Sequence, residues 1–217
     1  MTNQEIYALL RSGGLTRAGA LGVMGNMMAE SSMIPNIAQR GMTKLTDAQY
    51  TAAADNGLID FVHDQVGYGL CQWTYYTRKA ALLDLARNRG VSVGDPKMQC
   101  EFCLYELKTD GGALFHTLTH SEDIDLCSDM VCSQYERPAV NNYQARRNFA
   151  HKFAEELSDK TEPVIPRKFN ESIASLQVVL KANEYWSGDI DGVYSHDLYE
   201  TLLDFADGMK QVWEGGK

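Results

Sequence analysis

Apolar residues recur every three or four positions in several segments of this chain, and this spacing predicts α-helices. The clearest case is GLTRAGALGVMGNMMAESS, in which Thr16 can cap a helix that Pro35 then stops. Glu30 therefore lies near the C-terminal end of this helix. The apolar positions at helical spacing are Ala20, Val23, Met24, Met27 and Met28.

Three further segments have the same periodicity: TRKAALLDLARNRG, which ends at Gly90, QCEFCLYELK and NYQARRNFAHKFAEEL. Residues 36–64 are polar and poorly periodic, whereas VGYGLCQW is short and interrupted by glycines, as in a turn or a strand edge. The pattern predicts a mainly α domain over residues 1–157 with at most a small sheet.

The pattern of apolar and polar residues changes at Ser158. SDKTEPVIPRK has two prolines, alternating charges and no apolar face, which is typical of a linker and is assigned to residues 158–168. Residues 169–217 contain two amphipathic segments, SIASLQVVLKAN and DLYETLLDFADGMKQVW, on either side of a turn cluster. They predict a small all-α C-terminal domain.

Charge and hydropathy exclude some partners. The chain has 20 Lys and Arg against 29 Asp and Glu, a net charge of −9, so a nucleic-acid backbone would be repelled. Its longest apolar stretches are too short and glycine-rich to span a membrane, and MTNQEIYALLRSGG has no features of an export signal. We expect neither nucleic acid nor membrane as a partner.

The five cysteines allow more than one interpretation. Cys100 and Cys103, followed by Cys127 and Cys132, provide four thiols that zinc can bind, and disulfides are also open, although an odd number leaves one thiol over. Positions 100 and 103 share a helix face with leucines, which favours buried free thiols. We predict no metal and no cofactor.

Two segments contain residues suited to chemistry on a sugar. An apolar run leads into Glu30, and a carboxyl at the lip of an apolar groove has a raised pKa, as a general acid requires. In the second segment, Tyr68, Gln72, Trp73 and Tyr76 concentrate ring faces and an amide, which suit a saccharide. The alternative for the rings is packing in the core.

Together, GNMMAESSMIPN, VGYGLCQWTYYTR, QCEFCLYEL and SQYERP resemble the ordered motifs of phage lysozyme-like domains, found in tail lysins and endolysins of the lysozyme superfamily. The resemblance covers roughly residues 5–157 and implies an α+β lysozyme-like fold. It also implies that Glu30 donates a proton to the glycosidic oxygen. Tyr68, Gln72 and Trp73 are then expected on the wall of the saccharide groove.

One departure from the resemblance concerns the second carboxylate. Gly67 stands where chicken-type lysozymes have an aspartate, so Asp64 is the candidate, with Asp60 and Asp55 behind it; solvated loop aspartates are the alternative. If none lies near Glu30, the site resembles goose-type lysozymes and lytic transglycosylases, which depend mainly on one glutamate. Glu136 is expected to have a structural role, paired with Arg137, Arg146 or Arg147.

The C-terminal segment SIASLQVVLKANEYWSGDIDGVYSHDLYETLLDFADGMK resembles the three-helix peptidoglycan-binding module of wall hydrolases. The two resemblances imply a phage endolysin that hydrolyses the β-1,4 bond between N-acetylmuramic acid and N-acetylglucosamine. Such an enzyme stays in the host cytoplasm until it is released to the wall. A lytic transglycosylase and a non-catalytic wall-binding protein remain alternatives, whereas Cys71 lacks the histidine context of a cysteine amidase.

Overall fold

The computed structural model describes residues 1–109 and 112–157, together with residues 177, 180 and 181. The chain divides into two units, Met1–Ser158 and Asp159–Lys217. Apart from those three residues, the predicted linker (158–168) and the predicted C-terminal module (169–217) lie outside the described residues.

The described part of the first unit is mainly helical, as the hydrophobic pattern predicts. Its strand-like pairing consists of two isolated bridges, between Ala38 and Tyr68 and between Tyr68 and Trp73. The helices are α1 (Asn3–Ser12), α2 (Arg17–Ser31), α3 (Asp47–Asp55), α4 (Tyr76–Arg89), α5 (Pro96–Thr109), α6 (Gly112–His120), α7 (Ile124–Met130), a π-helix (Val131–Glu136) and α8 (Tyr143–Glu156).

The central element is α2, in which every residue from position 18 to position 27 is buried. Gly19, Gly22 and Gly25 lie at intervals of three residues and allow neighbouring backbones to approach closely. A Cβ atom at Gly22 would lie 2.8 Å from the Ser128 amide nitrogen, and one at Gly25 would lie 2.6 Å from the Arg146 carbonyl oxygen. The glycines therefore allow α7 and α8 to pack against α2.

Local capping signals fix the ends of the helices. The Thr16 side chain accepts a hydrogen bond from the Gly19 amide at 3.0 Å, and Gly90 ends α4 in a left-handed conformation. Helix α3 lies in the stretch for which the sequence predicts no helix. Its apolar periodicity is weak, but Thr46 and Gln49 form a capping box, which was a usable signal.

All five cysteines are free and buried, in agreement with their interpretation as core thiols. Within the described residues, no group of three or more His, Cys, Asp or Glu side chains is arranged to hold a metal ion. A helix with the length and apolar character needed to cross a membrane is likewise not found in the described part of the chain.

Candidate active site

A cavity of about 640 Å³ opens beside the C-terminal end of α2. Two carboxyl groups line it, those of Glu30 and Glu136, and these are the only acidic side chains among the lining residues that the structure describes. The rest of the lining is Ile37, Ala38, Gln39, Arg40, Cys71, Gln72, Thr74, Tyr75, Arg78, Arg137, Pro138 and Ala139.

Glu30 lies in the last turn of α2 and is bound by a guanidinium group. Arg146 Nη2, on α8, donates to Glu30 Oε1 at 2.5 Å, and Arg146 Nη1 donates to Asn26 Oδ1 at 2.8 Å. The side chains of Arg146 and Glu30 are 6% and 19% exposed. Instead of the expected apolar lip, Glu30 has a cationic partner, because Gly25 allows α8 to approach α2.

Glu136 is the last residue of the π-helix and is half-buried. No described residue donates a hydrogen bond to its carboxyl or forms an ion pair with it. Burial raises the pKa of Glu136 well above its ordinary value, and the charge of Glu30 raises it further, while Arg78 and Arg146 oppose this effect. The expected pairing of Glu136 with a neighbouring arginine is not formed.

The arginines near Glu136 have other partners. Arg147 pairs with Asp129, on α7, and Arg146 pairs with Glu30. Arg137 Nε donates to the Gln134 carbonyl oxygen, and the Arg137 side chain is exposed.

Arg78 is held by a third carboxylate, Glu106, which lies outside the cavity. Glu106 accepts hydrogen bonds from Arg78 Nε at 2.7 Å, from Trp73 Nε1 at 2.8 Å and from the Tyr135 hydroxyl at 2.6 Å. The Arg78 guanidinium also lies 4.5 Å from the centre of the Tyr135 ring. This cluster connects α4 and α5 to the residue next to Glu136, so it fixes the wall of the cavity.

Two of the aromatic residues expected on the groove wall lie in the core. Tyr68 and Trp73 are both 0% exposed, and neither lines the cavity. The Tyr68 ring packs against Phe61 with ring centres 5.3 Å apart, and the Trp73 ring packs against Phe102 at 5.5 Å. Both side chains are covered by protein, so Tyr68 and Trp73 are core residues and not residues of the groove wall.

Gln72 lies between Tyr68 and Trp73 in the sequence, and unlike them it lines the cavity. Its backbone is left-handed, with φ of 45°, and its Nε2 donates to the Gly69 carbonyl oxygen at 3.0 Å. Gly69 also has a positive φ of 77°, and a Cβ there would lie 2.6 Å from Gln99 Oε1. The glycine therefore permits the tight turn that directs Gln72 to the cavity.

Tyr76 lines a second cavity of about 690 Å³, which shares Gln39, Thr74 and Tyr75 with the first. Tyr75 and Tyr76 are 62% and 49% exposed, and their ring centres lie 4.8 Å apart. His63 stacks on Tyr76 with ring centres 6.0 Å apart. Tyr75 thus offers an exposed ring to both cavities, whereas Tyr76 lines only the second of the two.

Asp64, the expected second carboxylate, lines neither of these cavities. Its Oδ1 accepts from Lys79 Nζ at 2.5 Å and from the Val66 amide at 3.0 Å, and its Oδ2 accepts from the Tyr50 hydroxyl at 2.6 Å. Lys79 is completely buried. The carboxylate of Asp64 is therefore committed to neutralising a buried ammonium group.

The two aspartates behind Asp64 also have local partners. Asp55 accepts hydrogen bonds from the Ser92 hydroxyl and the Val93 amide, and so holds the loop that precedes α5. Asp60 pairs with His63, and both side chains are largely exposed. Neither aspartate lines the cavity of Glu30.

The sequence did not reveal the partner of Glu30. Arg146 and Arg147 are adjacent on α8, and only the packing of that helix shows that Arg146 is buried while Arg147 pairs with Asp129. The sequence of α2 contained one weak signal of a polar partner, because Asn26 interrupts the apolar run one helical turn before Glu30. The structure shows that Asn26 is fully buried.

The chain was also compared with known proteins. No curated protein matches it. The profile of the family described as phage tail lysozyme matches residues 1–157, the part of the chain that resembles phage lysozyme-like domains. This match supports a phage enzyme that lyses peptidoglycan. The chain therefore belongs to the phage tail lysozyme family.

Proposed function

We propose that this chain is a muramidase that hydrolyses the β-1,4 bond between N-acetylmuramic acid and N-acetylglucosamine, with Glu30 as an essential catalytic carboxyl. The observation on which the proposal rests is the position of Glu30. It lies in the last turn of a buried helix, faces a cavity of about 640 Å³ and is held in place by Arg146.

The chemistry of glycoside cleavage explains why such a carboxylate is useful. As the bond to the leaving oxygen breaks, the sugar becomes a cation, which a nearby carboxylate stabilises or which a carboxylate-activated water attacks. The ion pair with Arg146 requires the charged form of Glu30. It restrains the carboxylate, whose Oε1 lies 2.5 Å from Nη2 of the nearly buried guanidinium. Glu30 is therefore better suited to this role than to holding a proton.

Two adjoining cavities suit a polymeric substrate. Gln39 and Gln72 offer amides to hydroxyl and acetamido groups, and Tyr75 and Tyr76 offer ring faces to the apolar faces of sugars. We place the scissile bond in the cavity of Glu30 and further sugars of the glycan strand along the tyrosines.

Hydrolysis is preferred to transglycosylation because the cavity contains a second carboxyl, that of Glu136. Mass spectrometry of muropeptides from digested walls separates the two reactions. Hydrolysis adds water and leaves a reducing end, whereas transglycosylation gives an anhydro sugar with one water less. A predominance of anhydro products would contradict the proposal.

The role of Glu30 is tested with Glu30→Gln and the control Glu155→Gln, which makes the same charge change at an exposed position of α8. We expect Glu30→Gln to clear a suspension of purified walls about 10²–10⁴ times more slowly than the control. Equal clearance would refute the assignment. If neither variant nor the wild type releases sugars while all sediment with walls, the chain is a non-catalytic wall-binding protein.

The stage of infection at which the enzyme acts is a separate proposal. We propose that it accumulates in the host cytoplasm and reaches the wall at lysis, with residues 169–217 as a wall-binding module. Immunoblots of purified virions and of late-infection lysates test this. The chain should be abundant in lysates and absent from virions, whereas a stoichiometric band in virions would place it in the tail.

A further inference from the structure

Resting on the hydrolase proposed above, we propose that Glu136 is the second catalytic carboxyl of this cavity. It donates the proton to the leaving glycosidic oxygen, and the Glu30 carboxylate activates the water that attacks the sugar. These two acidic side chains line the cavity, and no other described residue of the lining offers a carboxyl.

The backbone at Glu136 is unusual. Helix α7 continues into a six-residue π-helix that ends at Glu136, and the next residue, Arg137, is left-handed with φ of 49°. π-helical turns and left-handed non-glycine residues are uncommon and are often found at functional sites. Here they allow Tyr135 to reach Glu106 while Glu136 lines the cavity.

Among the described residues, the charges around Glu136 leave its carboxyl without a counter-ion. Four groups on neighbouring elements act on it: Glu30 of α2, Arg78 of α4, Cys103 of α5 and Arg146 of α8. Arg146 is paired with Glu30, and Arg78 makes two hydrogen bonds to a different carboxylate, at 2.7 and 2.8 Å. Arg78 and Arg146 are thus each already paired with a carboxylate other than that of Glu136.

The remaining cations of the cavity do not change this balance. Arg40 is exposed and pairs with Asp47 at 3.0 Å, and the Arg137 side chain is also exposed. An additional carboxyl in a largely protein-lined site, next to the negative charge of Glu30, is more stable with its proton. Accordingly, the pKa of Glu136 lies well above its ordinary range because burial disfavours its charged form.

The two carboxyls thus differ in the way that acid and base differ in glycosidases. Of two neighbouring carboxyls in different environments, the one that keeps its proton is the donor, and the one held in an ion pair is the charged partner. Glu136 has no ion-pair partner within the described ranges and keeps its proton, whereas Glu30 is paired with Arg146 in its charged form. Cys71, which also lines the cavity, is unsuited to nucleophilic attack because burial raises the pKa of its thiol.

The reaction then balances as follows. The Glu136 carboxyl transfers its proton to the glycosidic oxygen, and the electron pair of the bond to C1 of the muramyl sugar stays with that oxygen. Glu30 accepts a proton from water as the water oxygen bonds to C1. The products are two sugar chains with one added water, and exchange with solvent returns the proton from Glu30 to Glu136.

The experiment compares two substrates in the full-length wild type, Glu30→Gln, Glu136→Gln and the Glu155→Gln control. The first substrate is purified peptidoglycan. The second is the 2,4-dinitrophenyl β-glycoside of the N-acetylglucosaminyl-N-acetylmuramic acid disaccharide, whose phenolate leaves without being protonated. Circular dichroism and thermal unfolding establish that each variant is folded.

We expect Glu136→Gln to lose about 10²–10⁴ in rate on peptidoglycan, the usual contribution of a general acid, and to stay within about tenfold of the wild type on the aryl glycoside. Glu30→Gln should lose both activities. The proposal is overturned if folded Glu136→Gln cleaves peptidoglycan like the control, or if it loses both substrates equally. It is also overturned if Glu30→Gln is the variant that the aryl glycoside rescues.

Failure of the proposed function has a different signature. If Glu30→Gln, Glu136→Gln and the control cleave peptidoglycan at the same rate, the cavity is not the active site. If the wild type releases no reducing ends from peptidoglycan, the chain is not a hydrolase. Both results differ from those that test the role of Glu136, in which a single variant loses or keeps activity on one of the two substrates.

Discussion

Two clusters in this protein each combine a carboxylate with a buried cation, and they differ in how completely their groups are matched. In the first, Lys79 is fully buried and donates to Asp64, to the Val66 carbonyl oxygen and to the Tyr50 hydroxyl. In the second, Arg146 binds Glu30 and Asn26, while Glu136 lies in the same cavity as Glu30 and has no counter-ion in the part of the chain that the structure describes.

This difference distinguishes carboxylates that stabilise the fold from carboxylates that are available for catalysis. Asp64 accepts three hydrogen bonds and lines neither cavity, so its bonding capacity is used by the fold. Glu30 and Glu136 face an open cavity, and Glu136 has no partner among the described residues, so a substrate can complete the cluster. The resemblance to chicken-type lysozymes favours Asp64, because it lies three residues before the position of their aspartate, whereas the lack of a partner among the described residues favours Glu136.

The largest expected effect comes from breaking the first cluster. Asp64→Asn leaves the Lys79 ammonium buried without its anion, and loss of one partner of a buried ion pair costs about 3–5 kcal/mol. Urea unfolding should show this loss, while the rate per folded molecule stays within twofold of wild type. The control Asp60→Asn removes an exposed partner of His63 and should change stability little. If folded Asp64→Asn loses catalytic activity, Asp64 has a role in catalysis and the structural assignment is wrong.

The next effect concerns the support of Glu30. Arg146→Gln removes the guanidinium that binds Glu30 and Asn26, and a misplaced catalytic group costs about a hundredfold in rate. We expect kcat on soluble glycan fragments to fall by about that factor with KM changed little. The neighbouring variant Arg147→Gln, which disturbs the pair with Asp129 outside the cavity, serves as the control. Equal rates in the two variants would contradict a role for Arg146 in positioning Glu30.

A smaller effect of opposite sign is expected for Glu136→Gln. The pKa of Glu136 is raised in the folded state from an ordinary value of 4.5, so folding keeps a proton that the unfolded chain releases. The contribution of Glu136 to stability is therefore complete below pH 4.5 and is lost as the pH rises through the folded pKa.

Glutamine does not titrate, so the decline with pH should be weaker in Glu136→Gln. At pH 7 to 8 its melting temperature should exceed that of the wild type by about 2–4 °C, as expected for about 1 kcal/mol in a protein of this size. Thermal unfolding between pH 4 and pH 8 measures both curves. Parallel curves would show that Glu136 is ionised in the folded enzyme.

The smallest effect concerns the second cavity. Tyr76→Ala removes an exposed ring face on which His63 stacks, and one aromatic contact contributes about 0.5–1.5 kcal/mol. We expect KM for long glycan fragments to rise about threefold to tenfold, with little change for the disaccharide aryl glycoside. A matched truncation, Tyr105→Ala, removes a similarly exposed tyrosine that lines neither of the two cavities. Identical KM values for both variants would place the glycan elsewhere.

The sequence predicted the elements whose signals are local. The cap at Thr16, the stop at Gly90 and the apolar periodicity were enough to locate α2, α4, α5 and α8, and they placed Glu30 at the end of α2. Family motifs predicted Gln72 beside the same cavity as Glu30. Whether these residues act in catalysis stays a prediction.

The sequence did not predict the contacts that depend on distant segments. Lys79 has the charge of a surface residue, and only its position between Asp64 and the rings of Tyr50 and Phe61 makes it part of the core. Arg146 reaches Glu30 from a helix that lies 116 residues away in sequence. Burial of Tyr68 and Trp73 likewise depends on tertiary packing, because an aromatic residue suits both a core and a sugar site.

In the proposed mechanism two carboxyls of one cavity share the reaction, one charged and one protonated. The decisive measurement is the pH dependence of kcat/KM on the aryl glycoside and on soluble peptidoglycan fragments. We expect a bell-shaped profile for the wild type on peptidoglycan, in which the alkaline limb reports loss of the proton from Glu136. In Glu136→Gln on the aryl glycoside that limb should be absent while the acid limb remains, and an unchanged alkaline limb would refute the role of Glu136 as proton donor.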